Sequence, residues 1–266
     1  MFTRSKLIVA HPDDECLWFS SILEQVDGVV ICYRDHPKIQ SVGETRKMAL
    51  ESINCILAEK GVRPFLSLGL PEVDTFASTD WDNPIPNEWG LQLTHPAAQA
   101  RYEANFSELV EIFKPLLSEC DNVFTHNPWG EYGHPDHVQL HKVLTSLQRE
   151  LKYTLWCNNY ASNQTLGHLM RYVSGFHPVY VTLNTNVELA QEIAEAYRAT
   201  EGWTWFDEFE WFSSESFMHG LEESQTECES GSLAPLNFMK LNFQAPRPPQ
   251  PTFKQRVRNK LSGIIG

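Results

Sequence analysis

The chain has 266 residues, 42% of them hydrophobic and 21% charged, and carries a formal net charge of −13. This length is enough for one large α/β domain with a sizeable buried core, and the composition is typical of a soluble globular protein. The negative charge argues against a nucleic-acid partner, because binding to phosphates requires a basic surface.

The sequence shows no targeting or membrane-spanning segment. The apolar run at residues 7–10 is shorter than the apolar core of a signal peptide, and no run approaches the length that crosses a bilayer. The six cysteines contain no Cys-x-x-Cys pair and lie mostly in apolar runs, which is typical of reduced thiols that pack as small hydrophobic residues. We therefore expect a soluble, cytoplasmic protein.

Short apolar runs alternate with segments of helical period through the first 160 residues. The runs that predict buried strands are residues 7–10, 29–33, 65–70, 122–125 and 153–157. Apolar residues recur on one helix face within residues 18–26, 49–57 and 138–147. This alternation predicts an α/β fold with a mostly parallel sheet flanked by helices. In such sheets, functional groups gather at the carboxyl ends of the strands.

Two segments depart from this alternation. Residues 74–97 have no clear period and include Trp81, Trp89 and His95; loops of this length inside compact domains are often functional. Trp81 and Trp89 either stack on the apolar face of a sugar ring or cap the core beneath the loop. Residues 203–212 are so rich in aromatic side chains that packing against the main domain is favoured, with one or two rings reaching the cleft.

The first chemistry-bearing stretch is His-Pro-Asp-Asp-Glu at residues 11–15, where the first predicted strand ends and a helix begins. Imidazole and carboxylate groups are zinc ligands, and catalytic zinc sites use three protein ligands with one position open for water. Taken alone, the stretch is equally typical of an Asp-rich helix N-cap, where carboxylates accept hydrogen bonds from free backbone amides.

The second stretch is Tyr-Gly-His-Pro-Asp-His at residues 132–137, which also follows a predicted strand and opens a helix. Helix capping does not readily explain two His-Pro-Asp units at equivalent places in one sheet. Together they provide two histidines and one carboxylate for a metal ion, with spare acid and base groups beside them. The other His-Pro dipeptides, at His36, His95 and His177, lack the following Asp and are interpreted as loop histidines.

These motifs, at residues 10–15 and 133–137, resemble those of the LmbE-like (PIG-L) N-deacetylases, zinc enzymes that remove acetyl groups from N-acetylglucosaminyl compounds. The similarity covers roughly residues 6–145 and is loose beyond about residue 200. It implies a Rossmann-like single domain at residues 1–245, with a motif-bearing core at about 6–200 and an aromatic-rich extension at 201–245. A Pro-rich spacer and basic tail follow at residues 246–266.

The resemblance also implies a role for each motif residue. The metal ligands that it implies are His11, Asp14 and His137. The general base would be Asp13. The histidine that stabilises the oxyanion would be His134, and the carboxylate that orients it Asp136. Tyr132 would contact the tetrahedral intermediate. Substrate contacts fall on Arg46 and on Glu72, which stands where the family usually carries Asp.

These roles agree with the chemistry of amide hydrolysis. Zinc lowers the pKa of a bound water to ~7 and polarises the carbonyl oxygen. Asp13 can take the proton of the water and deliver it to the leaving amine. His134, if protonated beside Asp136, would offer a charged donor to the developing oxyanion. Each step of the hydrolysis thus has a candidate residue.

We therefore expect a Zn²⁺-dependent N-deacetylase, with Fe²⁺ as the alternative metal, acting on an N-acetylated amino sugar in a glycoconjugate. One alternative is an amidase for another acyl group. A second is a non-haem Fe(II) oxygenase, which also uses two histidines and one carboxylate but usually within a β-barrel. A third is a catalytically silent sugar-binding module, which would not need a base and an oxyanion donor as well as the ligands.

The tail at residues 246–266 carries five basic and no acidic side chains. Its apolar residues, Phe253, Val257, Leu261, Ile264 and Ile265, recur near helical spacing. Such a basic amphipathic segment predicts peripheral contact with an anionic membrane at the inner face. The alternative is a helix that packs back on the acidic body of the protein. The sequence gives no indication of the oligomeric state.

Overall fold

The structure, a computed structural model, describes residues 2–36, 39–73, 78–172, 179–219 and 235–241. The strands within these ranges are β1 (Ser5–Val9), β2 (Val29–Asp35), β3 (Leu66–Pro71), β4 (Pro86–Asn87), β5 (Gly90–Leu91), β6 (Asn122–Thr125), β7 (Thr154–Asn158), β8 (Tyr160–Ser162), β9 (Tyr180–Asn184), β10 (Ser214–His219) and β11 (Asn237–Met239). The α-helices are α1 (Asp14–Trp18), α2 (Gln40–Glu59), α3 (Pro96–Leu117), α4 (Pro135–Leu151), α5 (Leu166–Leu169) and α6 (Val187–Ala199). The tail at 246–266 and His177 lie outside the described residues.

Seven strands form the central sheet, in the order β3-β2-β1-β6-β7-β10-β9. The first five run parallel to one another, and β10 runs antiparallel to both β7 and β9. On β1, Leu7 pairs with Val29 of β2 on one side and with Phe124 of β6 on the other. The predicted α/β class with a mostly parallel sheet is confirmed.

The sheet is apolar on both faces because helices cover both. Successive residues of a strand point to opposite faces, and on β1 this places Leu7 and Val9 in one core and Ile8 in the other. The first core is completed by α1, α2 and α6, and the second by α3 and α4. Burial on both sides explains why these strands appear in the sequence as continuous apolar runs.

All five predicted strands are present, with ends shifted by one or two residues. The helix expected over residues 18–26 is wrong in extent: α1 ends at Trp18 and a single 3₁₀ turn follows at Ser20–Ile22. The backbone of Phe19, at φ −143°, interrupts the helix, and apolar residues on both sides of this break are buried. The 22-residue helix α3 was not predicted.

Part of the aromatic-rich extension belongs to the central sheet. Strand β10 pairs with both β7 and β9, and its Phe217 is fully buried between the rings of Phe19 and Phe124. Most aromatic side chains of residues 203–212 pack against the first core, as predicted, whereas Phe206 is exposed. The last residues that the structure describes, in β11, pair with β8 in a separate two-stranded sheet.

The order of strands decides where a site can form. The chain continues from β1 into β2, which pairs with one side of β1, whereas β6 pairs with the other side of β1. Ligand sites of open α/β sheets lie at such a switch point, beyond the carboxyl ends of the strands. Both His-Pro-Asp motifs lie there, one at the start of α1 and one at the start of α4. Among the described residues, no helix combines the length and the apolarity required to cross a bilayer.

Candidate metal centre and active site

The carboxylate of Asp14 links the two His-Pro-Asp motifs. Its Oδ2 atom lies 3.4 Å from His11 Nδ1 and 3.3 Å from His137 Nε2. Zinc bonds of 2.0–2.1 Å in a tetrahedral site place neighbouring ligand atoms about 3.3–3.4 Å apart. The distances from Asp14 to His11 and from Asp14 to His137 therefore both fit a pair of ligands on one zinc ion.

The bonding of His137 leaves one nitrogen for a metal. Its Nδ1 lies 2.6 Å from Glu131 Oε2, so in the neutral ring Nδ1–H donates and the lone pair is on Nε2. That Nε2 atom is buried and has no hydrogen-bond partner among the residues that the structure describes. A buried acceptor without a partner costs free energy, and a metal ion beside Asp14 would satisfy it.

His11 is held in the same way by Asp136. The carboxylate Oδ2 of Asp136 lies 3.1 Å from His11 Nε2, so Nε2–H donates and Nδ1 presents its lone pair toward Asp14. Metal-binding histidines commonly donate their second ring N–H to a carboxylate, which fixes the tautomer and the orientation of the ring. Both candidate histidine ligands therefore have this support.

Two further histidines, His126 and His134, are close enough to take part in a metal site. The groups whose ligand atoms lie within 4.8 Å of one another are His11 with His134 and His137, and Asp14 with His126 and His137. In His126, however, Nε2 accepts the Ala10 N–H over 2.9 Å and Nδ1 pairs with Glu131 over 3.1 Å. With both nitrogens engaged, His126 cannot offer a lone pair, and it instead stacks on His137 at 3.7 Å.

The position of His134 corrects one expected contact. Its Nδ1 accepts the backbone N–H of Asp136 over 3.2 Å, because Pro135 has no N–H and Asp136 carries the first free amide of α4. The carboxylate of Asp136 lies 4.0 Å from this Nδ1 and bonds His11 instead. The expectation that Asp136 orients a protonated His134 is therefore wrong.

The charge of His134 also differs from the expectation. Burial, together with the neighbouring His11 and His137, holds the pKa of His134 well below its ordinary value. His134 is neutral at neutral pH, and since Nδ1 accepts a hydrogen bond its proton is on Nε2. It can still donate to an oxyanion, but as a neutral imidazole.

Asp13 lies beside the ligands in a strained conformation. Its φ of 91° places a non-glycine residue in the left-handed region, which costs free energy and is found mainly at functional sites. Its Oδ2 accepts two hydrogen bonds from Thr204, from the backbone N–H at 3.1 Å and from Oγ1 at 2.7 Å. Burial and the charge of Asp14 raise the pKa of Asp13 to about 7, which suits proton transfer near neutral pH.

Arg46 and Glu72 form a charged rim next to His11. Arg46 Nη1 lies 3.3 Å from Glu72 Oε2 and also donates to the backbone carbonyl of Arg34. Glu72 Oε2 lies 3.8 Å from His11 Nε2, and Glu72 Oε1 lies 3.7 Å from His36 Nε2. His36, interpreted from the sequence as a loop histidine, thus joins the rim through Glu72.

The two tryptophans of the long loop have partners outside the histidine cluster. The ring of Trp81 lies 6.3 Å from that of His168, and the carbonyl of Trp89 accepts from Gln139 on α4 over 3.3 Å. These contacts connect the loop to α5 through Trp81 and to α4 through the backbone of Trp89, and neither contact involves a proposed ligand. Their substrate-binding role stays a prediction.

An aromatic wall closes the other side of the site. The ring of Tyr132 lies 5.2 Å from His137 and 4.6 Å from Trp205, and Trp205 contacts Trp18 at 5.1 Å. Trp205 comes from the aromatic-rich segment 203–212, so one of its rings does reach the site. Apolar rings beside charged groups lower the local dielectric, which strengthens electrostatic interactions.

Sequence reasoning missed three residues of this site: His126, Glu131 and Thr204. His126 directly follows a predicted strand, and Glu131 precedes Tyr132 of the second motif; these positions were the available signals. Thr204 contacts a residue 191 positions away in the sequence, and no local pattern indicates such a contact.

Zinc affinity should fall as the pH falls. Burial lowers the pKa of both ligand histidines, but Asp136 and Asp14 raise that of His11 to about 10, and Asp14 and Glu131 raise that of His137 to about 9. Each ring must lose its extra proton to bind a metal. Between pH 8 and 6 we expect the affinity to drop about tenfold to a hundredfold per pH unit.

Chelator-competition titrations measure this affinity, and calorimetry in buffers of different ionisation enthalpy counts the protons released. The variant His141→Asn serves as a control. His141 is buried one helical turn beyond His137, and burial lowers its pKa to about 3, so its ring is already neutral between pH 6 and 8 and releases no proton. A zinc affinity independent of pH in the wild-type protein would contradict the assignment.

Comparison with known proteins gives one curated relative. No family model matches the chain. Over 170 residues the chain is 29% identical to a 1D-myo-inositol 2-acetamido-2-deoxy-alpha-D-glucopyranoside deacetylase of Corynebacterium kroppenstedtii. The match covers 54% of this chain and 40% of the relative, so the chain spans less than half of the relative's length.

A solved structure shares the fold at low sequence identity. The deacetylase of the antimicrobial A40926 pseudoaglycone is 12% identical, with a TM-score of 0.52, and the match covers 82% of this chain and 97% of that one. A deacetylase crystallised with teicoplanin is 13% identical, with a TM-score of 0.46 and coverage of 80% and 97%. The relative and the shared fold are consistent with the resemblance to the LmbE-like (PIG-L) N-deacetylases that the two motifs predict.

Proposed function

We propose that the protein is a zinc-dependent N-deacetylase that removes the acetyl group from an N-acetylated amino sugar within a glycoconjugate. The observation that carries this proposal is the position of Asp14 Oδ2 between His11 Nδ1 and His137 Nε2, with a second carboxylate, Asp13, adjacent. The name of the curated relative describes deacetylation of a 2-acetamido-2-deoxy sugar, which supports the same substrate class.

The ligands of the ion would be His11, Asp14 and His137. A divalent ion bound there would polarise the amide carbonyl and lower the pKa of water to ~7. The remaining steps fall to side chains of the protein. Because Thr204 occupies Oδ2 of Asp13, Oδ1 is the atom that would take the proton of the attacking water and return it to the leaving amine.

The developing oxyanion would be stabilised by His134. Its Nδ1 accepts a backbone N–H, which leaves Nε2–H as the donor. A preorganised neutral donor serves this purpose because the negative charge appears only in the transition state, and one such contact typically contributes about 3 kcal/mol. The ring of Tyr132 packs on His137, and Tyr132 would contact the tetrahedral intermediate.

The sugar would bind at the rim formed by Arg46 and Glu72. Glu72, which pairs with Arg46, lies within 4 Å of His11, close enough for sugar hydroxyls next to the acetamido group. Stacking of Trp81 and Trp89 on the rest of a larger substrate remains a separate hypothesis. Contact of residues 246–266 with an anionic membrane is another.

The alternatives lack comparable support. An amidase for another acyl group would use the same residues and would differ only in the space for the acyl chain. An Fe(II) oxygenase needs the two histidines and one carboxylate but has no use for a base such as Asp13 or an oxyanion donor such as His134. The site also lies beyond the carboxyl ends of parallel strands in an open sheet rather than inside a β-barrel.

Substitution of the two adjacent aspartates separates base from ligand. Asp13→Asn should keep zinc but lose about 10²–10⁴-fold in turnover, because proton transfer slows. Asp14→Asn should lose zinc. Metal content is measured by elemental analysis and activity by acetate release from a panel of N-acetylated sugars, nucleotide sugars and inositol glycosides, with the exposed-pair variant Asp121→Asn as a control.

Loss of zinc from Asp13→Asn with retention by Asp14→Asn would reverse the two roles. Absence of acetate release by the zinc-loaded wild-type protein from every member of the panel would contradict the deacetylase assignment itself.

The contact between Thr204 and Asp13 gives a second test. Thr204→Val removes the hydroxyl donor at similar size, and a hydrogen bond to a charged group contributes about 1.5–3 kcal/mol, so we expect kcat to fall about tenfold to a hundredfold with little change in KM. Thr204→Ser keeps the hydroxyl and should retain most of the activity. Thr204 is exposed, so neither change should affect folding.

Thr182→Val is the matched control, because the Thr182 hydroxyl bonds Ser216 at 2.8 Å on the antiparallel side of the sheet. Wild-type kcat in Thr204→Val would show that Thr204 does not position the base.

A further inference from the structure

Glu131 is a buried carboxylate without a role in the proposed reaction. It lies between β6 and α4 with no exposed surface, so it cannot touch a substrate. Its φ of 50° is in the left-handed region, which non-glycine residues seldom adopt. Burying a charge and straining the backbone both cost free energy, and such features persist where they serve a function.

The carboxylate of Glu131 bridges two imidazoles. Oε2 lies 2.6 Å from His137 Nδ1, and Oε1 lies 3.1 Å from His126 Nδ1. Each of the two carboxylate oxygens therefore faces the Nδ1 atom of one imidazole, where it can accept the ring N–H.

The neighbouring loops keep this carboxylate from rotating. Oε1 also accepts from the Asn127 backbone N–H at 3.1 Å and from Asn158 Nδ2 at 2.7 Å. The backbone carbonyl of Glu131 accepts from Thr165 Oγ1 at 2.9 Å. Asn127, in the loop after β6, and Asn158, the last residue of β7, thus hold the carboxylate, while Thr165, after β8, holds the backbone of Glu131.

We propose that Glu131 is a positioning residue that makes His137 a metal ligand. It holds the proton of His137 on Nδ1 and thereby directs the lone pair of Nε2 toward Asp14, 3.3 Å away. His126, stacked on the same ring and bonded to the same carboxylate, fixes the ring plane. The inference rests on the proposed function, since it concerns the zinc ligand His137.

The test compares two wholly buried glutamates. Glu131→Gln replaces one acceptor oxygen with an amide that donates. Glu215→Gln makes the same change in a carboxylate that bonds Ser20, Ser21 and Tyr160, outside the proposed ligand set. We expect the zinc Kd of Glu131→Gln to rise about 10–100-fold, with that of Glu215→Gln within about twofold of wild type. The visible spectrum of the Co²⁺-substituted protein should change only in Glu131→Gln.

A double variant tests whether Glu131 acts through His137. In a His137→Ala background, Glu131→Gln should leave the residual zinc affinity nearly unchanged. An equal loss of affinity with and without His137 would overturn the inference, because Glu131 would then act only through its charge. Unchanged zinc affinity in Glu131→Gln would overturn it as well.

If Glu131→Gln does not fold, Asn158→Ala replaces it, because this variant keeps the carboxylate and removes one donor that fixes it. A several-fold rise in zinc Kd supports the inference, and an unchanged Kd overturns it. All of these readouts are made without substrate. A wild-type protein that binds no zinc contradicts the proposed function, whereas a zinc-binding wild type matched by its Glu131 variant contradicts only the role of Glu131.

Discussion

The site depends on one interaction, the approach of the Asp14 carboxylate to the imidazoles of His11 and His137. A carboxylate with 1% exposure is unstable unless positive charge compensates it. His137 and His126 outweigh the effect of burial and hold the pKa of Asp14 well below its ordinary value. The order of the strands makes this approach possible, because β1 and β6 are neighbours whose carboxyl ends begin the segments that lead into α1 and α4.

Carboxylates around this centre have different roles because their surroundings differ. Asp136 and Glu131 each accept a hydrogen bond from one ligand histidine, which fixes the tautomers needed for metal binding. Within the described part of the chain Asp13 pairs with no histidine, and its pKa rises to about 7 through burial and the nearby Asp14. Groups whose environments push their pKa values apart are the ones that divide acid and base work. The same logic leaves His134 neutral, as a donor rather than a cation.

Much of the fold, and the meeting of the two His-Pro-Asp motifs, could be predicted from the sequence, because both depend on local patterns. Buried parallel strands appear as continuous apolar runs, and the repeated His-Pro-Asp unit marks two strand ends. The hydrogen-bond network could not be predicted, because it depends on which loops meet. Thr204 contacts Asp13 across 191 positions of the sequence. The carboxylate of Asp136 bonds His11, whereas its backbone N–H bonds His134.

Anomalous diffraction at the zinc edge tests the central claim most directly, with crystals grown from zinc-loaded protein. The account predicts one strong peak within about 2.0–2.2 Å of His11 Nδ1, Asp14 Oδ2 and His137 Nε2. Neither His126 nor Asp13 should lie within bonding distance of it. A peak bonded to His126 Nε2, or one held by His134 in place of Asp14, would contradict the account.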